Sequence, residues 1–177
     1  MDNDVSLDPS DQGALVAADG TEVLRFRRIL PGAPHEVWPA LVERDRLGVW
    51  AFPGEFEPRA GGAVSFDYGE HGQGAGTVLA WDEPLFLEYE WGEGPMLWRV
   101  RFALSEAPGE GGAGGAGPRT ALTFDHLAPD PHDPDFAAGW HWHLDRLARH
   151  LAGEDVPQTG TDAHFEELQR LYAHAEG

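Results

Sequence analysis

The chain has 177 residues, no cysteine, and 31 acidic against 12 basic side chains, for a formal net charge of -19. That length suits one ordinary domain, and 41 % hydrophobic residues supply a core. The acidic balance argues against nucleic acid and membrane surfaces as partners. Every basic residue other than histidine is an arginine, so disulfides, thiolate nucleophiles, Schiff-base lysines and a phosphate-loop lysine are excluded.

Residues 1–20 are rich in Asp and read as a disordered acidic tail. The leading Met1-Asp2-Asn3-Asp4 lacks the basic and apolar regions of a signal peptide. No apolar run approaches the ~20 residues of a membrane span, so a cytoplasmic location is expected. Thr21–Leu30 reads as a first strand, broken by Pro31-Gly32. Two short helices follow, Pro34–Val42 and Arg44–Trp50. Strands are then expected at Gly54–Arg59, Ala63–Tyr68, Thr77–Trp81, Leu85–Trp91, Met96–Ser105 and Arg119–His126. Gly69–Gly76 reads as a glycine-rich loop, and Gly109–Pro118 as a floppy hairpin insertion without a phosphate-binding pattern.

One hairpin can be aligned by arithmetic. A four-residue turn, Gly92–Pro95, sets Trp91 against Met96, Tyr89 against Trp98, Leu87 against Val100 and Leu85 against Phe102. Apolar residues then face apolar residues, and Glu88 and Arg99 pair on the other face. The last long element is a helix over Asp135–Ala152, with Phe136, Trp140, Leu144, Leu147 and Leu151 on one face, His143 at its border and Trp142 outward. Residues 153–177 read as a linker and a short amphipathic helix, Thr161–Ala175, with Phe165, Leu168 and Tyr172 inward. A curved sheet with one apolar face needs a cover, and the long helix is the evident lid. The expected class is α+β, a helix-grip fold over residues 21–152: a curved antiparallel sheet wrapped around a long C-terminal helix.

Several segments carry a family likeness: Pro34-His35-Glu36-Val37-Trp38-Pro39-Ala40-Leu41, Leu47-Gly48-Val49-Trp50, Gly61-Gly62, Gly76-Thr77-Val78, Arg119-Thr120-Ala121-Leu122-Thr123, Gly139-Trp140 and Leu144-Asp145-Arg146-Leu147. In that order and spacing the sequence resembles the SRPBCC (START-like) superfamily. Within it, the sequence is similar to the single-domain bacterial type of the activator of Hsp90 ATPase homologue family. The resemblance implies a hydrophobic cavity between sheet and long helix, in a superfamily that binds lipids, sterols, polyketides or hormones and includes cyclases and aromatases. It carries no catalytic residue over.

Strand parity then predicts the inward side chains: Phe66, Tyr68, Leu79, Trp81, Leu87, Tyr89, Trp98, Val100, Phe102, Leu122, Phe124 and His126, joined by Trp140, His143, Leu144 and Leu147 of the helix. Phe66, Tyr68, Trp81, Tyr89, Trp98, Phe102, Phe124, His126, Trp140 and His143 are the candidate ligand-binding residues. The same rings can equally fill a core. Tyr68, Tyr89, His126 and His143 need partners if buried, from the protein or from a ligand oxygen. The loop holding His126, Asp130, His132, Asp133 and Asp135 reads as solvated acidic chain with a helix cap at Asp133 or Asp135, and no metal or cofactor is expected. An outward Trp142 suggests a contact with the terminal helix or with a second copy in a homodimer. The expected function is binding of a small hydrophobic or aromatic molecule. The alternatives are a cyclase- or aromatase-like enzyme using a cavity histidine, and an Hsp90-linked adaptor.

Overall fold

The computed structural model describes residues 9–108, 117–156 and 163–174. Eight strands form one curved, unclosed antiparallel sheet in the order β1-β2-β8-β7-β6-β5-β4-β3. They are β1 (Ala14–Ala18), β2 (Thr21–Pro31), β3 (Gly54–Phe56), β4 (Ala63–Asp67), β5 (Gln73–Asp82), β6 (Phe86–Trp91), β7 (Trp98–Glu106) and β8 (Arg119–Ala128). Helices α1 (Pro34–Val42) and α2 (Arg44–Trp50) follow β2, and α3 (Pro134–Leu151) and α4 (Ala163–His174) end the chain. This is the α+β helix-grip class expected from the sequence. No helix among the described residues is long and apolar enough to cross a membrane.

Local chemistry explains these boundaries. Pro34 starts α1 where a missing N–H costs nothing, and the Glu36 carboxylate accepts the Ala33 N–H at 2.7 Å. Asp133 caps α3 by accepting the Asp135 N–H at 2.9 Å. The C-terminal carbonyls of α2 are satisfied by α3: His143 Nδ1 reaches the Trp50 oxygen at 2.8 Å and Arg146 the Val49 oxygen at 2.9 Å. The Trp50 indole donates to the Ala40 carbonyl at 2.8 Å, fixing α2 on α1.

Residues 9–20 are not part of a disordered tail: Pro9–Asp11 is a 3₁₀ turn. Ala14–Ala18 pairs with Thr21–Arg25 as the edge strand β1. The two-residue turn is Asp19-Gly20, with φ of 52° and 80°, a geometry that right-handed strand twist favours. Residues 1–8 lie outside the described residues, as do 109–116 of the expected hairpin insertion and 157–162 of the expected linker.

Three further expectations shift. The β6–β7 register is Trp91↔Trp98, Tyr89↔Val100 and Leu87↔Phe102, two residues from the expected one. A 3₁₀ turn at Gly94–Met96 removes Met96 from the strand and lengthens the loop. Because the slip is even, every side chain keeps its face. A bulge between Val78 and Ala80 changes parity inside β5, so Val78 replaces Leu79 opposite Tyr89 while Trp81 stays inward opposite Leu87. Half of the glycine-rich stretch is strand rather than loop, since β5 begins at Gln73 and Gly69–His71 is a 3₁₀ turn.

Gly76 shows why glycine is needed there. A methyl group on it would overlap the Glu90 carbonyl and the Trp91 Cα of the neighbouring strand. Neither backbone atom can swing aside as a side chain would. Gly76→Ala is expected to cost about 2–4 kcal/mol, measured as a lowered urea midpoint. A midpoint equal to wild type would show that the strands part without cost.

The concave face of the sheet buries Leu24, Phe26, Val78, Leu87, Val100, Phe102, Leu122 and Phe124. On the opposite face, Glu88 is 7 % exposed and takes Arg99 at 2.6 Å and Arg101 at 3.1 Å. Asp125, 3 % exposed, takes Arg25 through two bonds of 2.7 and 2.8 Å. Helix α3 is buried on two sides, not one. Leu144 and Leu147 are fully buried as expected, but so are Ala137, Ala138 and His141, whereas Phe136, Trp140 and Leu151 are half-buried. The second buried side faces α4. There the Tyr172 hydroxyl donates to His141 Nδ1 at 2.8 Å and accepts the Gly13 N–H at 2.8 Å. Trp142 is half-buried, with the Phe165 ring of α4 at 6.0 Å and the Arg146 guanidinium 4.4 Å from its ring centre. This chain's own terminal helix therefore meets the tryptophan that suggested a second copy.

Candidate functional site

Between the concave sheet and α3 lies a cavity of about 430 Å³. That is within the range of small-molecule sites. Strands β4 and β6 supply Phe66, Tyr89 and Trp91, with Tyr68 just beyond β4, and Trp98 begins β7. Helix α3 contributes Asp135, Phe136, Gly139, Trp140 and His143, while α2 and the turn after it contribute Leu47, Trp50, Ala51 and Phe52. Phe52 and Asp135 are exposed and mark where the cavity opens.

Six of the ten expected ligand-binding residues meet on this wall: Phe66, Tyr68, Tyr89, Trp98, Trp140 and His143. The other four do not reach it. Phe102 and Phe124 pack against each other at 5.0 Å in the buried core, and Trp140 covers Phe124 at 4.5 Å. Trp81 packs on Trp38 and Phe56 at 5.2 and 6.2 Å. His126 is fully buried, with both ring nitrogens engaged: Nδ1 accepts the Trp140 indole N–H at 3.0 Å and Nε2 donates to the Pro129 carbonyl. Of the two histidines expected as acid or base, only His143 lines the cavity.

The electrostatics of the wall are simple. Burial lowers the pKa of His143, and nearby Arg146 adds to that, outweighing the opposite pull of the Trp50 carbonyl. Burial also raises the Tyr68 and Tyr89 hydroxyls above the ordinary tyrosine value. All three are therefore neutral near pH 7. Among the described residues the lining contains no arginine, and Asp135 is its only carboxylate. His132, in the acidic loop, lies outside the cavity, bridging Asp130 at 3.0 Å and Glu22 at 2.9 Å.

Sequence reasoning missed the α2 side of the cavity. Leu47, Trp50 and Phe52 come from a short helix and a turn whose placement over the sheet no periodicity reports. Trp91 and Phe136 were within reach: Trp91 shares the parity of Tyr89, and Phe136 lies one turn before Trp140.

Residues 32–152 match the family model described as activator of Hsp90 ATPase homolog 1-like protein. The chain belongs to this family, and with it to the SRPBCC superfamily. Solved structures share the fold. CalU16 from Micromonospora echinospora is 20 % identical, with a TM-score of 0.63 over 93 % of this chain and 94 % of that one. The protein encoded by gene BPP1335 of Bordetella parapertussis is 24 % identical, with a TM-score of 0.68 over 93 % of each chain. DynU16, from the dynemicin biosynthetic locus, is 26 % identical with a TM-score of 0.59, over 75 % of this chain and 48 % of that one. No curated protein matches the sequence.

Proposed function

We propose that this family member binds a small hydrophobic or aromatic molecule in the cavity between the sheet and α3. One observation carries the reading: a cavity of about 430 Å³ opens between the sheet and α3, and ten of the fourteen residues that line it carry rings. Clefts of this size lined by apolar and aromatic side chains with a few polar groups are where small molecules usually bind. The test is titration with N-phenyl-1-naphthylamine, a neutral dye whose emission rises in apolar surroundings. Saturable enhancement at one site per chain is expected. No enhancement, together with a native mass spectrum showing only the bare chain, would overturn the reading.

A second reading, a cyclase- or aromatase-like enzyme, draws on His143 in the cavity and on the biosynthetic locus that holds DynU16. A neutral histidine facing a bound aromatic ketone has the right chemistry for proton transfer. It requires turnover that His143→Leu removes.

A further inference from the structure

The cavity wall is mostly apolar, but two of its polar atoms stand out. Among the described residues, neither the Tyr89 hydroxyl nor Nε2 of His143 has a hydrogen-bond partner. Their chemical characters are set by their surroundings. His143 Nδ1 lies 2.8 Å from the Trp50 carbonyl, which can only accept. Nδ1 therefore carries the proton, and Nε2 presents a bare lone pair. The Arg146 guanidinium meets the same carbonyl at 3.5 Å, so the α2 terminus does not depend on His143 alone. Tyr89 offers the opposite group, an O–H that burial keeps protonated. Neither atom is sealed from the cavity, so water can serve both when the site is empty. A ligand that displaces that water without replacing its hydrogen bonds leaves them unpaired, and one that supplies the partner is rewarded.

Charge narrows the ligand further. A carboxylate or phosphate entering this space would meet no cation on the wall, Asp135 at the opening, and a chain of net charge -19. A pure hydrocarbon would leave Nε2 dry and unpaired. We propose that the cavity selects a neutral, hydroxyl-bearing aromatic molecule whose O–H donates to Nε2 of His143, making His143 the specificity-determining residue of the site. This rests on the ligand-binding reading above and goes beyond it by naming the ligand's chemistry.

The test uses three flat probes with one skeleton, naphthalene, 2-naphthol and 2-naphthoate, each displacing bound N-phenyl-1-naphthylamine at pH 7.5. In wild type, 2-naphthol is expected to displace the dye at about five- to tenfold lower concentration than naphthalene, the worth of one net hydrogen bond. 2-Naphthoate is expected to need at least about tenfold more than 2-naphthol. His143→Leu should bring the naphthol-to-naphthalene ratio to about one, and His143→Gln, which keeps an acceptor, should restore part of it. In wild type the ¹⁵N resonance of His143 Nε2 should shift with 2-naphthol and stay with naphthalene, a readout independent of whether any variant folds. Equal displacement by naphthol and naphthalene, an unmoved Nε2 resonance, or naphthoate as effective as naphthol would overturn this inference while leaving cavity binding intact. Failure of the dye itself to bind would overturn both.

Discussion

Gly139→Leu is expected to raise the dissociation constant of N-phenyl-1-naphthylamine at least about a hundredfold while the protein stays folded. Gly139 lies in the second turn of α3 and lines the cavity. A Cβ built on it meets no atom within 4 Å, and its backbone is ordinary helix. A side chain placed there grows into empty space rather than into a wall, and occupies the volume the dye needs. The fold should gain. Glycine in a helix interior costs roughly 0.5–1 kcal/mol relative to alanine, so Gly139→Ala should raise the melting temperature with only a small effect on binding. The pair of variants separates two roles for the cavity. If Gly139→Leu stabilises the protein and the dye still binds with wild-type affinity, the dye sits elsewhere and the cavity is a packing defect. If both stability and binding rise, the leucine has completed a site rather than filled one, and the volume argument is wrong.

The same glycine illustrates what the sequence could disclose. Helix periodicity placed Trp140 and His143 on the cavity side of α3, and strand parity placed Phe66, Tyr68, Tyr89 and Trp98 opposite them. Periodicity reports which way a side chain points. It is silent on what lies across from it. Phe124 and His126 point the same way as Tyr89 and Trp98, yet the Trp140 ring lies over Phe124 at 4.5 Å and its indole N–H holds His126, so they belong to the core. The β6–β7 register was misplaced by two because Met96, apolar and adjacent to the strand, sits in a 3₁₀ turn at Gly94–Met96. A strand-long apolar pattern cannot separate those alternatives, since an even slip preserves it. The edge strand β1 was overlooked although Asp19-Gly20 is a strong hairpin signal, because Ala14-Leu15-Val16-Ala17-Ala18 shows no alternation of apolar and polar residues. The two-sided burial of α3 was hidden for a different reason. His141 reads as a polar surface residue until Tyr172, 31 positions later, supplies its partner.

That partnership sets the second large effect, a loss of stability on mild acidification. Burial lowers the pKa of His141 to about 4, with Arg28 and His164 adding to the shift and Asp145 opposing it. Burial also lowers His126 and His143, and His150 shifts the same way. These groups are neutral in the folded chain, whereas in the unfolded chain they protonate near 6.5. Below that value the unfolded state binds more protons, so stability is full above about pH 6.5 and falls as pH drops towards the folded values. For His141 alone, the fall between pH 6.5 and 5 is roughly 2 kcal/mol. His132 works in the opposite sense. Asp130 and Glu22 raise its pKa, so its contribution is present at low pH and lost as pH rises through the raised value. It is solvent-exposed and too weak to reverse the trend. The test is the urea midpoint at pH 7.5, 6.5, 5.5 and 5.0, for wild type and His141→Gln. The wild-type midpoint should fall steadily below pH 6.5, and the variant should start lower and fall less steeply by about one proton. A flat wild-type profile over this range would mean that His141 takes up a proton without leaving its place between Tyr172 and Asp145, and that the contact between α3 and α4 is indifferent to its charge.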